Sequence, residues 1–131
     1  MTGLACLALD DAERLMNWAD VTGAMSFEAL RGQLVAFDAE ILALKASPGI
    51  QTSGQRLREL LAGSRLLAES EGLRTQDALS LRSMPQVHGA CRDQFSHAQT
   101  QINIELNACT DNPLILGTLE QWRVVSQAHP H

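Results

Sequence analysis

Pro85-Gln86-Val87-His88-Gly89-Ala90-Cys91-Arg92-Asp93-Gln94-Phe95-Ser96-His97-Ala98-Gln99-Thr100-Gln101-Ile102-Asn103-Ile104-Glu105-Leu106-Asn107-Ala108-Cys109 is the stretch on which the fold turns. Val87, Cys91, Phe95, Ala98, Ile102, Leu106 and Cys109 recur at spacings of 4, 4, 3, 4, 4 and 3. That period, about 3.7 residues, keeps one apolar stripe on one side of a nearly straight helix. Pro85 suits the first turn of such a helix. Asp111-Asn112-Pro113 ends it, because the residue before a proline is pushed out of the α region. At the standard rise the stripe runs about 33 Å. A rod of that length in so short a chain implies an elongated all-α bundle with partner helices from other chains, hence a homo-oligomer. The amides Gln94, Gln99, Gln101, Asn103 and Asn107 on its other faces suit a crowded assembly.

Upstream, Ala5, Ala8, Ala12, Leu15 and Ala19 recur at helical spacing, with small residues that allow another helix close approach. Gly23 is expected to interrupt this helix. Ser26 is expected to cap a short one that Gly32 ends. Phe37 to Leu44 reads as a further short helix, and Ser47-Pro48-Gly49 as a turn. Ser53 reads as the cap of a helix with Leu57, Leu60 and Leu61 buried and Gly63 at its end. Arg65 to Thr75 reads as solvated chain. Downstream, Leu114–Leu116 and Arg123–Val125 flank Gly117 and can pair as a short hairpin near the C-terminus.

The 131 residues carry a net charge of -5, are 45% hydrophobic and 19% charged, and contain no tyrosine. The acidic balance disfavours non-specific nucleic-acid binding, which needs a basic face to release phosphate counterions. No apolar run reaches the ~18 residues of a membrane span. Met1 to Leu9 lacks a basic n-region and does not read as a signal peptide. Cys91 and Cys109, read on one helix, stand about 27 Å apart and cannot bridge. A reduced, cytoplasmic protein is expected.

Three stretches are polar in ways that packing does not demand: Gln76-Asp77-Ala78-Leu79-Ser80-Leu81-Arg82 with Pro85-Gln86; Glu105-Leu106-Asn107 through Asp111-Asn112-Pro113-Leu114; and Ser126-Gln127-Ala128-His129-Pro130-His131. In order and spacing they resemble the aromatic amino-acid ammonia-lyase family, of which histidine ammonia-lyase is a member. Met25-Ser26-Phe27-Glu28-Ala29-Leu30-Arg31-Gly32 and Phe37-Asp38 through Leu44 are similar to that family too. The resemblance covers residues 1–131, as a single module like the central segment of such an enzyme.

The resemblance implies a long-helix bundle, a homotetramer with active sites shared between subunits, and non-oxidative removal of ammonia from an aromatic amino acid. It also implies a methylidene-imidazolone electrophile made from an Ala-Ser-Gly tripeptide, because the β-proton is weakly acidic and the amine leaves poorly. Arg82 matches the family arginine that grips the substrate carboxylate, a task suited to a guanidinium fork. Gln76 matches a glutamine that positions substrate and cofactor, and Asn112 an asparagine of structural support. The family tyrosine is Leu79 here, which offers neither proton donor nor acceptor. The third motif carries His129-Pro130 in place of Asn-Phe. No Ala-Ser-Gly occurs in the chain; Thr52-Ser53-Gly54 is a superficial match, and its ordinary reading is a helix cap.

Other chemistries fail on spacing. His88 and Cys91 share a helix face, but His97 points about 180° from His88, so the three make no metal site. Ser80 and Ser126 lack a Gly-x-Ser-x-Gly context. The single glycines form no phosphate loop. Three readings of function are left. The first is a truncated lyase-like protein that does not catalyse alone. The second is a fragment that completes an active site with another chain. The third is a helical scaffold or regulatory oligomerisation module that has lost the chemistry.

Overall fold

The computed structural model describes residues 1–126; Gln127 to His131, with the His129-Pro130-His131 end of the third motif, lie outside the described residues. Among those described, six α-helices are followed by one hairpin: α1 (Thr2–Ala29), α2 (Ala39–Ala43), α3 (Pro48–Leu60), α4 (Arg65–Ala68), α5 (Leu79–Arg82), α6 (Met84–Leu106), β1 (Leu114–Gly117) and β2 (Trp122–Val125). A 3-10 turn, Leu34–Phe37, precedes α2. The protein is helical with a small two-stranded appendage, as its periodicity predicts.

The first helix runs unbroken for 28 residues, about 42 Å. The expected break at Gly23 does not occur. Gly23 lies where α1 crosses α6, and a Cβ there would stand 3.4 Å from His88 Cε1 and Met84 Sδ. Its missing side chain admits the neighbouring helix, a tertiary gain that outweighs the ~1 kcal/mol helix cost of glycine. Ser26 caps nothing; its hydroxyl donates back to the Thr22 carbonyl at 2.9 Å. The helix ends where expected, by a Schellman pair: Gly32 N–H to Phe27 O and Arg31 N–H to Glu28 O, both 2.9 Å. The left-handed residue is Arg31, at φ 53, rather than the glycine.

Ser47-Pro48-Gly49 is a helix start, not a free turn. Ser47 Oγ accepts the Ile50 N–H at 3.2 Å and Pro48 occupies the first turn of α3. Asp93 on α6 completes the cap, accepting from Gly49 N at 2.8 Å and from the Ser47 hydroxyl. Ser53, expected as the cap, is therefore fully buried inside α3. Proline at the first turn sacrifices no helical hydrogen bond, which moves the cap six residues upstream of the expected place, from Ser53 to Ser47. Arg65–Thr75 is not wholly solvated either. Ser64 caps α4, Leu67 enters the core, and buried Ser70 donates to Gly32 O at 3.3 Å.

The core sits at one end. Phe27 and Phe37, fully buried, meet at a centroid distance of 4.6 Å, with Ala24, Leu57, Leu61, Leu67 and Leu81 around them. From there α1 and α6 extend antiparallel, with α3 packed across α6 at Gly49 and Gly89. A Cβ on Gly89 would come within 2.4 Å of the Ile50 backbone, so the two helices touch main chain to main chain. The α6 residues buried on this side are Pro85 and Gly89, not the apolar stripe. Cys91, Phe95 and Ala98 of the stripe instead face Ala12, Met16 and Ala19 of α1 across a groove of about 520 Å³. Cys109 lies beyond the end of α6 rather than on it. In the hairpin Leu114 pairs with Val125 and Leu116 with Arg123, as the apolar runs predict. No helix among the described residues is long and apolar enough to cross a membrane.

Candidate functional site

The residues singled out by motif fall at two separate places. Gln76 is exposed in the coil before α5, Leu79 opens α5 and is 65% exposed, and Arg82 closes it, half-buried. The guanidinium Nε of Arg82 is buried and has no hydrogen-bond partner among the described residues. Between them Asp77 is 5% exposed and is held to the C-terminal end of α1: its Oδ2 accepts the Gln33 N–H at 2.6 Å. Leu81 enters the core beside it. This arrangement presents the Gln76 side to solvent and leaves Arg82 with donors to offer an anion.

Asn112 lies elsewhere. It follows α6, whose 23 residues separate their ends by about 33 Å. Its Oδ1 accepts from the Ser126 hydroxyl at 3.0 Å, which ties the two feet of the hairpin together. That bond suits a supporting role. Within one chain the Gln76–Arg82 motif and the Asp-Asn-Pro motif do not meet.

A second polar assembly is one that motif reading missed. Asp20, fully buried in α1, receives Arg56 Nε at 3.0 Å from α3, Arg92 Nη2 at 2.5 Å from α6, and His88 Nδ1 at 2.8 Å. Arg92 also donates to Ser53 Oγ at 3.0 Å. Burial by itself would raise the Asp20 carboxyl; the His88 and Arg92 hydrogen bonds, the Arg92 charge and Arg56 outweigh it and hold Asp20 below the ordinary carboxylate value. His88 is thus committed to a carboxylate. The cluster joins α1, α3 and α6 at one point, an arrangement that suits a structural role. A signal for it existed: Met16, Asp20, Ala24 and Phe27 share one helix face, and an aspartate on an apolar face calls for a partner. Asp93 is likewise held low, by the Ser47 hydroxyl and the Gly49 amide.

Thr52-Ser53-Gly54 does not fit an electrophile precursor. All three lie in α3, Ser53 Oγ is occupied by Arg92, and a Cβ on Gly54 would stand 2.2 Å from Leu42 Cδ1.

With this geometry in view, comparison with known proteins is specific. A profile of the family described as aromatic amino acid lyase matches residues 1–131. The histidine ammonia-lyase of Alkaliphilus metalliredigens is 40% identical over 131 residues, which is all of this chain and 25% of that enzyme. The one from Symbiobacterium thermophilum is 44% identical over 115 residues, 88% of this chain and 23% of the enzyme. Among solved structures, the phenylalanine aminomutase of Pantoea agglomerans superposes with a TM-score of 0.83 at 29% identity, covering 97% of this chain and 28% of that one. The ergothionase of Treponema denticola gives 0.80 at 25% identity, covering 86% and 22%. The chain spans about a quarter of the length of the curated relatives it matches.

Proposed function

The chain belongs to the aromatic amino acid lyase family, and from that premise we propose that it carries the carboxylate-gripping part of a deaminating site and does not carry out the elimination by itself. The observation behind this is Arg82: a half-buried guanidinium with an unpartnered Nε, at the end of a helix whose motif matches the family's. Two parallel charge-assisted hydrogen bonds from that fork would orient an α-amino acid by its carboxylate. Gln76, in the exposed coil six residues earlier, offers an amide that both donates and accepts. Histidine is the first substrate to consider, since both curated relatives named above are histidine ammonia-lyases.

Elimination needs a base and an electrophile as well. Leu79 cannot move a proton, and the methylidene-imidazolone group would have to come from an Ala-Ser-Gly segment outside these 131 residues. Incubating the chain with histidine, phenylalanine and tyrosine while following the ultraviolet absorbance of the conjugated acid tests this. No product is expected, and product from the chain alone overturns the reading. Arg82→Ala should weaken histidine binding; unchanged affinity would remove Arg82 from the site.

Assembly through the long helices is part of the same reading. The chain exposes 9528 Å², whereas a folded monomer of 14.3 kDa is expected to expose about 6,800 Å². The difference exceeds the ~800 Å² per partner of a standard interface. A second reading, an oligomerisation module without substrate chemistry, is favoured by the exposed Leu79 where the family has a tyrosine. It expects assembly in light scattering with no affinity for amino-acid carboxylates.

A further inference from the structure

We infer that Asp77 and Arg74 are positioning residues for Arg82, acting through a lock on the C-terminal end of α1; the inference rests on the carboxylate-grip reading of Arg82. The lock begins with an anomaly. Residues 71–78 form the irregular segment before α5 and are exposed except for Asp77, which is 5% exposed. A buried carboxylate is unfavourable unless it is paired. Its Oδ2 accepts the main-chain N–H of Gln33 at 2.6 Å, and its Oδ1 lies 3.5 Å from Arg74 Nη1, close enough to attract but not hydrogen-bonded.

Arg74 then reaches across to the helix end. Its Nη2 donates to Leu30 O at 3.0 Å and to Arg31 O at 2.7 Å, carbonyls that the end of α1 leaves without helical partners. Gln33 closes the ring by donating its Nε2 to Arg74 O at 2.8 Å. Two short stretches more than forty residues apart are thus joined by four hydrogen bonds. The end of α1 is already fixed by its own Schellman pair on Phe27 O and Glu28 O, and Arg74 serves the carbonyls beyond it.

What needs these bonds is α5. It has four residues, far below the length at which a helix holds itself, and its cap position, Ala78, supplies no side-chain hydrogen bond. Its place is therefore set from outside: by Leu81 in the core, by α6, which starts at Met84 directly after Ser83, and by Asp77, immediately before Ala78. Arg82 is five residues from Asp77 on the same short segment. Releasing the lock would free the N-terminal side of α5 and leave only Leu81 and the join to α6 at Ser83 to orient the guanidinium, and misplacement by about 1 Å is enough to cost a bound substrate much of its orientation.

The test uses the 131-residue chain, labelled with nitrogen-15, and histidine as the probe. Asp77→Asn keeps the size of the side chain and removes its charge. It is expected to shift and broaden the Arg82 Nε–H resonance, to leave the amides of Gly49 and Gly89 where they were, and to weaken histidine binding about tenfold. Arg74→Gln, at a half-exposed position, should do the same if Asp77→Asn does not fold. An Arg82 Nε resonance unchanged in the folded variant overturns the inference. Histidine affinity that Arg82→Ala does not alter overturns the carboxylate-grip reading instead, and the Nε resonance still decides whether Asp77 and Arg74 position Arg82.

Discussion

The end of the molecule built on Phe27 and Phe37 and the end built from the first half of α1 and the last half of α6 are made from similar residues and turn out differently. At the first end, leucines from α3, α4 and α5 converge on two rings tilted by 35° and are buried. At the second, Leu4, Leu7, Leu15, Ile104 and Leu106 are each more than half exposed. The contrast teaches that helical periodicity guarantees an apolar face but not the partner that covers it. The first end has partners supplied by the intervening chain; the second has two antiparallel helices and an open groove between them. The polar cluster on Asp20 sits at the boundary between the two.

That boundary is where the largest effect is expected. Asp20→Ala leaves Arg92, Arg56 and His88 facing a hole in place of a carboxylate, and removing one partner of a buried pair costs about 3–5 kcal/mol. Urea unfolding should record a loss of that order. A loss under about 1 kcal/mol would mean that the closed end does not depend on the cluster. Next is Gly89→Ala. A methyl 2.4 Å from the Ile50 backbone must push α3 off α6, and overpacking of this kind costs about 1–3 kcal/mol. Equal stability of Gly89→Ala and wild type would show that the two helices have room to separate.

Acid sharpens the same boundary. Asp20 and Asp93 are both held below the ordinary carboxylate value in the folded protein. At low pH the unfolded chain therefore binds protons that the folded one resists, and stability rises with pH across that range. Their contribution is fully present above the unfolded value of about 4 and is lost as pH falls through the lower folded values. Denaturation curves between pH 2 and 6 should show the midpoint falling below about pH 4, and less steeply in Asp20→Asn. A neutral Asp20 still accepts hydrogen bonds, so the acid effect should be smaller than that of deleting the side chain.

How much of this was legible in the sequence differs by region for a physical reason. The course of α6, the hairpin around Gly117 and the end of α1 near Gly32 are written in local signals: a period, two apolar runs, a cap. The face of α6 that packs on α3 was not, because it is made of Pro85, Gly89 and Arg92, and apolarity scores pass over a glycine and an arginine. The start of α3 was missed because Ser47-Pro48-Gly49 is turn chemistry and helix-start chemistry at once, and the deciding bond comes from Asp93, 44 residues away. The Asp20 cluster joins residues 36 and 72 positions apart, beyond any spacing rule. Of the candidate site, the motif singles out Gln76 and Arg82 as the residues to test, but the lock on Asp77 depends on a backbone N–H, a donor that every non-proline residue carries.

The smallest effect on stability is expected at the open end, and it carries the comparison furthest. Leu7→Ser removes an apolar side chain that is 66% exposed. In the dilute chain such a change should move the unfolding free energy by no more than about 0.5 kcal/mol, as at other surface positions. At higher concentration the same substitution should lower the weight-average mass seen by light scattering, because the exposed face is what a second copy would bury. The two measurements separate a face that is merely solvated from one that awaits a partner. A mass that never exceeds one chain, with or without Leu7, would leave the open end solvated and remove homo-oligomeric assembly from the proposed function. A large loss of stability in the dilute chain would mean instead that the first half of α1 folds against its own molecule more tightly than its exposure allows.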